Sequence, residues 1–250
     1  MALTQEEITT LLTLLPNNSY KAALSNAPVK LSEEIALALG QNKRNLVRVL
    51  STVVDAIADK LFVKSMTFSD TMLQQQTEEW LAANKWELLE RKLYRYAVRD
   101  GKSYALVSYK NNAPSISVLE LYDGKQGAIV LYSDKDTSVP LLGVNTWYSG
   151  TDRYLDVYYD NRIEKYLYNG YEWTKRTDYE GESWPVDFTD ENNAPLGIPL
   201  IEYSIGESDL ADGAVQIQKD INEALLDLMA VNRTMGYLIV LFILKNCEVN

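Results

Sequence analysis

Residues 155–171 read LDVYYDNRIEKYLYNGY. Two short runs in this stretch, 155–159 and 164–168, are rich in tyrosine and aliphatic residues and predict β-strands, because such side chains favour strands. Asp160-Asn161 supplies a turn between them. Asn169-Gly170, between Tyr168 and Tyr171, is a strong hairpin signal, since both residues tolerate the left-handed backbone that tight hairpins need. The stretch therefore predicts antiparallel β-structure.

The same character extends in both directions from this stretch. Fourteen of the seventeen tyrosines lie between Tyr94 and Tyr179, so the predicted sheet is tyrosine-rich. The further predicted strands are Tyr104–Tyr109, Ile116–Leu121, Ala128–Tyr132, Leu142–Tyr148 and Leu200–Tyr203. The polar residues from Asp178 to Asn193 predict a long loop instead.

Residues 1–100 have the period of helices. Thr4 and Glu7 form a capping box, the usual start of a helix. Apolar residues then recur at spacings of three and four between Leu46 and Leu61, which predicts a second helix. A third helix is predicted from about Glu78 to Arg99, and Asp100-Gly101 ends it, because glycine accepts the left-handed conformation that closes many helices.

A last helix is predicted from about Gly213 to Val231. Its apolar face carries Ile217, Ile221, Leu225 and Leu228, and its polar face includes Gln218, Lys219, Asn222 and Glu223. The expected fold is therefore α+β, with N-terminal helices, a central tyrosine-rich antiparallel sheet and a C-terminal amphipathic helix. We expect a first region over 1–205, helical over 1–100 and β-rich over 101–205. A second region, 206–250, would hold the amphipathic helix and an apolar tail.

Composition excludes several classes of function. The chain has no histidine, which excludes a Ser-His-Asp triad, histidine-bound zinc and histidine general-base catalysis. A net charge of −11 disfavours a protein that grips nucleic acid, since phosphate binding is driven by Lys and Arg. The single Cys247 fits a reducing compartment, and the longest apolar run, Leu238–Leu244, is too short to span a bilayer. We predict no catalytic residue, no metal, no cofactor and no membrane contact.

Three local features have a functional and a structural interpretation. Arg91, Arg95 and Arg99 could contact DNA or capsid, or could form a solvated helix face paired with Glu87 and Glu90. The acidic stretch beside Trp173 and Trp184 could hold glycosidase carboxylates or calcium, but it lacks either defining spacing and is expected to be a solvated loop. The tyrosine-rich sheet could bind a glycan or a protein ligand as a monomeric module, and Trp173 would then report the ligand; alternatively, its tyrosines are there because aromatic residues are good strand formers.

Two further stretches contain motifs in a characteristic order. The first, Asn45–Tyr109, contains NLVRVLSTVVDAIADKLFV and then EEWLAANKWELLERKLYRYAVRDGKSYALVSY, with Trp80 and Asn84 in a W-x-x-x-N element. The second, 197–231, reads GIPLIEYSIGESDLADGAVQIQKDINEALLDLMAV. Together these stretches resemble the SPP1-type phage portal family, with Trp80, Asn84, Pro199, Asp220 and Asn222 at family positions. In all, the resemblance covers about 45 to 231.

The resemblance implies a structural role without catalysis. A portal subunit of this family forms a dodecameric ring at one capsid vertex, contacts the capsid protein, terminase motor and head–tail adaptor, and lets double-stranded DNA pass during packaging and ejection. Residues 1–205 would then form a wing, and a stem helix would begin near Gly213. Ile217, Ile221, Leu225 and Leu228 would lie at the subunit interface or, alternatively, would pack on the sheet of their own chain. Such a subunit belongs to the virion and, during assembly, to the host cytoplasm. Portals of this family continue through a clip, a second stem helix and a crown, so we expect this chain to be a truncated form.

Overall fold

The computed structural model describes residues 3–15, 49–110, 113–121, 126–136, 138–179, 182–208, 210, 213–225 and 228. The chain divides into two compact units. The first contains residues 1–19 and 57–208, and the second contains 20–56 and 209–250. The predicted division at residue 205 stays a prediction, and the predicted apolar tail, Leu238–Leu244, lies outside the described residues.

The described helices and strands are segregated along the chain, with four helices before the antiparallel strands and one helix after them, which confirms the α+β fold. The helices are α1 (Gln5–Thr13), α2 (Val49–Ala58), α3 (Thr71–Ala83), α4 (Trp86–Asp100) and α5 (214–225). The longer strands are β1 (Lys102–Lys110), β2 (Ala113–Leu119), β3 (Gln126–Tyr132), β4 (Pro140–Ser149), β5 (Asp152–Tyr158), β6 (Arg162–Tyr168) and β11 (Leu200–Ser204). The short ones are β7 (Trp173–Lys175), β8 (Asp178–Tyr179), β9 (Glu182–Ser183) and β10 (Val186–Asp187).

Two sheets stack in the first unit. The small sheet has the order β11-β1-β2, and the large sheet has the order β10-β6-β5-β4-β3, with β7 paired to β6. Tyr104, Tyr158 and Leu200 are among the buried side chains between the sheets. Gly143 allows the close approach, because a Cβ atom there would lie 2.9 Å from Ile198 Cγ2. Helix α4 covers the other face of the small sheet, and α1 covers the other face of the large sheet.

Helix α1 begins as its capping box predicts. Thr4 Oγ1 accepts a hydrogen bond from Glu7 N at 3.3 Å, and Glu7 Oε2 accepts one from Thr4 N at 2.7 Å. Ile8 and Leu11 are buried against the large sheet. The side chain of Gln5 pairs with the Trp173 backbone in both directions, accepting from its N–H at 2.8 Å and donating to its carbonyl at 2.5 Å. Hence α1 is fixed at both its start and its apolar face.

The single helix predicted from Glu78 to Arg99 is wrong. The chain forms two helices there, because Asn84 ends α3 and Lys85 adopts a left-handed conformation with φ 54°. No glycine or proline marks the break, so the local pattern gives no warning of it. The predicted end at Gly101 is confirmed: its φ is 82°, and its N–H bonds to the carbonyl of Ala97.

The long loop predicted from Asp178 to Asn193 is also wrong in part. Three two-residue strands interrupt it, and β10 extends the large sheet by pairing with β6. The predicted hairpin at Asn169-Gly170 is present, but β7 begins only at Trp173. Asn169 Oδ1 accepts hydrogen bonds from the N–H groups of Tyr171 and Glu172, so Tyr171 lies in the turn and is 94% exposed.

Candidate functional site

Helix α5 carries the predicted stem face. It begins after Gly213, whose φ of 90° needs a glycine, and Ile217 N bonds to the Gly213 carbonyl at 2.9 Å. The predicted interface residues face solvent to different degrees: Ile217 is 59%, Leu228 56% and Ile221 37% exposed, and Leu225 is half-buried. Large aliphatic side chains at such exposure form an accessible apolar face on the helix.

The buried face of α5 is polar, contrary to the polarity pattern of the sequence. Gln218 and Asn222, predicted on the polar outer face, are only 5% and 3% exposed. Gln218 Oε1 accepts hydrogen bonds from the backbone N–H groups of Val49 and Leu50, at 2.8 and 3.2 Å. Free N–H groups at a helix start need such acceptors, which explains why a glutamine is buried there. Asn222 Oδ1 is buried, and within the part of the chain that the structure describes it has no hydrogen-bond partner.

The other family position on this helix, Asp220, lies on the surface. Its carboxylate accepts a hydrogen bond from Gln216 Nε2 at 2.7 Å, one helical turn earlier. Asp220 and Asn222 therefore face opposite environments, although they are two residues apart. Of these two family positions, only Asn222 is buried.

Trp80 and Asn84, the W-x-x-x-N pair, fasten the end of α3 to β2. Trp80 Nε1 donates to the Pro114 carbonyl at 2.9 Å, and Asn84 Nδ2 donates to the Trp80 carbonyl at 2.9 Å and to that of Pro114 at 3.2 Å. Asn84 Oδ1 also accepts from Ile116 N at 2.9 Å. The side chain of Asn84 thus caps the end of α3 and also forms hydrogen bonds with the backbone of strand β2. The spacing of four places both residues on the same side of α3.

Pro199 precedes the edge strand of the small sheet. It is buried, and its carbonyl accepts a hydrogen bond from Val107 N at 2.9 Å. Three positions further on, Glu202 accepts hydrogen bonds from Lys102 Nζ at 2.8 Å and from the Tyr104 hydroxyl at 3.1 Å. Burial, together with the charge of Glu202, raises the pKa of Tyr104. The tyrosine therefore remains a neutral donor that holds β11 in register.

The arginines of α4 do not form one solvated face paired with Glu87 and Glu90. Arg91 pairs with Asp59 at 2.8 Å on the surface, whereas Arg99 is buried and pairs with Asp100 at 2.6 Å and Glu120 at 2.9 Å. Glu90 is buried as well. Its carboxylate accepts hydrogen bonds from the N–H of Val63 at 2.6 Å and from the hydroxyl of Tyr94 at 2.9 Å. Burial and the Glu90 carboxylate raise the pKa of Tyr94 to about 12. These arginines and Glu90 hold α4 to its neighbours.

A second buried carboxylate lies beneath α1. Glu164 accepts hydrogen bonds from the Tyr166 hydroxyl at 2.6 Å and from Arg162 at 3.1 Å, and it pairs with Lys175 at 3.0 Å. Burial by itself would raise the pKa of Glu164, but these three partners hold it below its ordinary value. The Tyr166 hydroxyl in turn accepts the N–H of Leu3 at 3.0 Å. Sequence reasoning missed this network because its members come from two strands and the N-terminus.

The acidic stretch and Trp173 do not form a sugar site in the described residues. Asp190 accepts hydrogen bonds from the N–H groups of Asn192 and Ala194, so it stabilises its own turn. Trp173 is only 7% exposed and packs with Ile8 in the core beneath α1, so its indole is not free to stack on a glycan. Glu180 lies outside the described residues. In the part of the chain that the structure describes, no cluster of three metal-ligating side chains occurs.

The family model for the phage portal protein, SPP1 Gp6-like, matches residues 40–244. The chain therefore belongs to the SPP1 Gp6-like phage portal family, which confirms the resemblance read from its two motifs. The family is structural rather than enzymatic, and it supports a phage portal role in the virion. No curated protein matches the chain. Within the described residues, no helix is both long enough and apolar enough to cross a bilayer.

Proposed function

We propose that this chain is a portal subunit that assembles with copies of itself into a closed ring at the capsid vertex. The family points to a dodecamer through which double-stranded DNA is packaged and ejected. The capsid protein, the terminase motor and the head–tail adaptor would be the outer partners. Assembly in the host cytoplasm and incorporation into the virion follow from this role. The expectation that the chain is a truncated form stays a prediction.

The observation that carries the proposal is the exposed apolar face of α5. Ile217, Ile221 and Leu228 repeat at helical spacing and remain accessible, while the adjacent face of the helix is already buried. A subunit in a closed ring needs a surface that is complementary to a different surface on its neighbour. An apolar helical face that remains this exposed supports that use.

The family positions Trp80, Asn84 and Pro199 have a supporting role in this proposal. Each is engaged within the first unit by hydrogen bonds to backbone groups. We infer that they keep the wing rigid and do not contact a partner directly. The family position Asp220 is exposed on α5 and is therefore available to a neighbouring subunit.

The test compares the oligomeric state of Ile221→Asp with that of wild type by sedimentation velocity. Lys219→Gln is the matched control, because it changes the net charge by the same amount at an exposed position on the other side of α5. We expect wild type and Lys219→Gln to assemble, and Ile221→Asp to remain a folded monomer, because a buried unpaired carboxylate is costly at an apolar interface. If Ile221→Asp assembles like wild type, α5 is not the interface.

A further inference from the structure

One row of side chains crosses the large sheet beside α1. The strand register places Tyr148 opposite Arg153, Arg153 opposite Tyr168, and Tyr168 opposite Trp173. These four residues therefore point to the same face of β4, β5, β6 and β7. We call them the arginine–aromatic row. Its rings contact one another, since the centroids of Tyr168 and Trp173 are 5.3 Å apart.

Arg153 is held firmly at the centre of this row. Its guanidinium lies 5.5 Å from the centroid of Tyr148 and 5.7 Å from that of Trp173, and its Nε atom donates to Thr146 Oγ1 at 3.3 Å. Aromatic faces attract a cation, and Nε is already engaged. The two terminal nitrogens are left to meet a ligand.

Arg153 has no carboxylate partner among the described residues, unlike three other cations of this sheet. Lys165 pairs with Asp156 at 2.9 Å, and Arg162 and Lys175 both pair with Glu164. Among the described residues, none places a carboxylate within ion-pair distance of Arg153. A fixed guanidinium fork is suited to a planar carboxylate, which it can bind through two parallel hydrogen bonds.

A cavity of about 380 Å³ opens beside this guanidinium. Its wall includes Arg153, Tyr168 and Trp173 from the row, Gln5 from α1, and the turn residues Tyr171 and Glu172. The size is near the lower end for ligand pockets and suits one or two amino-acid side chains.

We propose that this cavity binds the side-chain carboxylate of an Asp or Glu residue on a partner polypeptide. The guanidinium of Arg153 binds the carboxylate through hydrogen bonds, and the rings of Tyr168 and Tyr171 pack against the neighbouring apolar side chains of the partner. A nucleic acid fits the site poorly, because the cavity wall offers one cation, whereas binding of a phosphate backbone is driven by several Lys and Arg residues. This site is separate from α5 and does not depend on ring formation.

The experiment titrates the full chain with an acetylated and amidated Ala-Leu-Glu-Leu-Ala peptide and follows the tryptophan indole N–H signals by NMR. We expect saturable movement of the Trp173 signal. The Trp147 signal should stay in place, because Trp147 stacks on Tyr154 on the opposite face of the sheet. The matching peptide has glutamine in place of glutamate. Its Kd should be higher by about tenfold or more, since a charged hydrogen-bonded pair is lost.

Three variants decide between a specific site and general attraction to charge. Arg153→Gln should weaken binding of the glutamate peptide about tenfold or more, while Lys135→Gln, which removes a charge from an exposed turn, should leave binding unchanged. Arg153→Lys keeps the charge and should bind with intermediate affinity, which keeps the test valid even if Arg153→Gln fails to fold. The proposal is overturned if the glutamine peptide binds equally well, if Arg153→Lys and wild type bind alike, or if an eight-nucleotide oligothymidylate displaces the peptide.

Discussion

Truncating the buried side chain of Ile8 to alanine tests whether α1 is an integral part of the first unit. The family match begins only at residue 40, so α1 lies outside it. Ile8 is nevertheless completely buried and shares a core with Val144, Leu155 and Val157 of the large sheet. If this packing is as the structure shows, Ile8→Ala must leave a cavity between α1 and the sheet.

The expected loss follows from that burial. Replacing a fully buried isoleucine by alanine typically costs about 2–5 kcal/mol, the larger values applying where neighbours cannot move into the space. Here the neighbours on one side belong to a hydrogen-bonded sheet, so we expect about 3 kcal/mol. For a unit of this size, that loss lowers Tm by about 6–12 °C.

Urea unfolding followed by tryptophan fluorescence measures this loss. Thr10→Ala is the matched control, because it is an exposed position on the same helix and should change the free energy of unfolding by no more than about 0.5 kcal/mol. Equal stabilities for Ile8→Ala and Thr10→Ala would refute the packing of α1 on the sheet. A loss of about 3 kcal/mol in Ile8→Ala alone would support it.

The remaining predictions concern three polar contacts, each read out by the same urea unfolding. Asn84→Ala should cost about 1–3 kcal/mol, because it leaves the N–H of Ile116 without its acceptor; no change would show that α3 is not fastened there. Asp100→Ala should cost about 3 kcal/mol or more, because it removes a fully buried partner of the buried Arg99; a neutral result would contradict the pairing. For Glu164, whose pKa is held below the ordinary 4.5 in the folded state, the stabilisation is fully present above that value and is lost as the pH falls through the folded pKa. Wild type should therefore exceed Glu164→Gln in stability at pH 7, and the difference should shrink below pH 4.5; a difference that is constant with pH would refute the assignment.

Local signals predicted those elements whose formation depends on neighbouring residues. The Thr4–Glu7 capping box starts α1, Gly101 ends α4, and Asn169-Gly170 turns the chain between β6 and β7. Each of these features requires particular residue types within a few positions, so a single sequence is enough to show them. The order of helices and strands followed from the same kind of information.

The break between α3 and α4 could not be predicted in this way. Lys85 carries no conformational preference for a positive φ, and the break is stabilised by bonds from Asn84 to Pro114 and Ile116, about 30 residues away. The burial of Gln218 has a similar origin, because its partners are the distant backbone N–H groups that open α2. Amphipathic patterns record the polarity of a side chain and not the hydrogen bonds available to it.

The arginine–aromatic row could have been found from the sequence only by combining two turns. The turn at Ser149-Gly150 places Tyr148 opposite Arg153, and the register between β5 and β6 then places Tyr168 beside the same arginine. The second turn is longer than Asn169-Gly170 alone suggests, so the pairing of Tyr168 with Trp173 needs the structure. Register is a property of paired strands, which composition and periodicity do not specify.

The central claim, that the chain assembles as a portal ring, is tested most directly by electron-microscopy class averages of the purified full chain. The account predicts closed particles with cyclic symmetry and a central channel, lost in Ile221→Asp and retained in Lys219→Gln. Particles of one subunit at every concentration, or open filaments in place of closed rings, would contradict it.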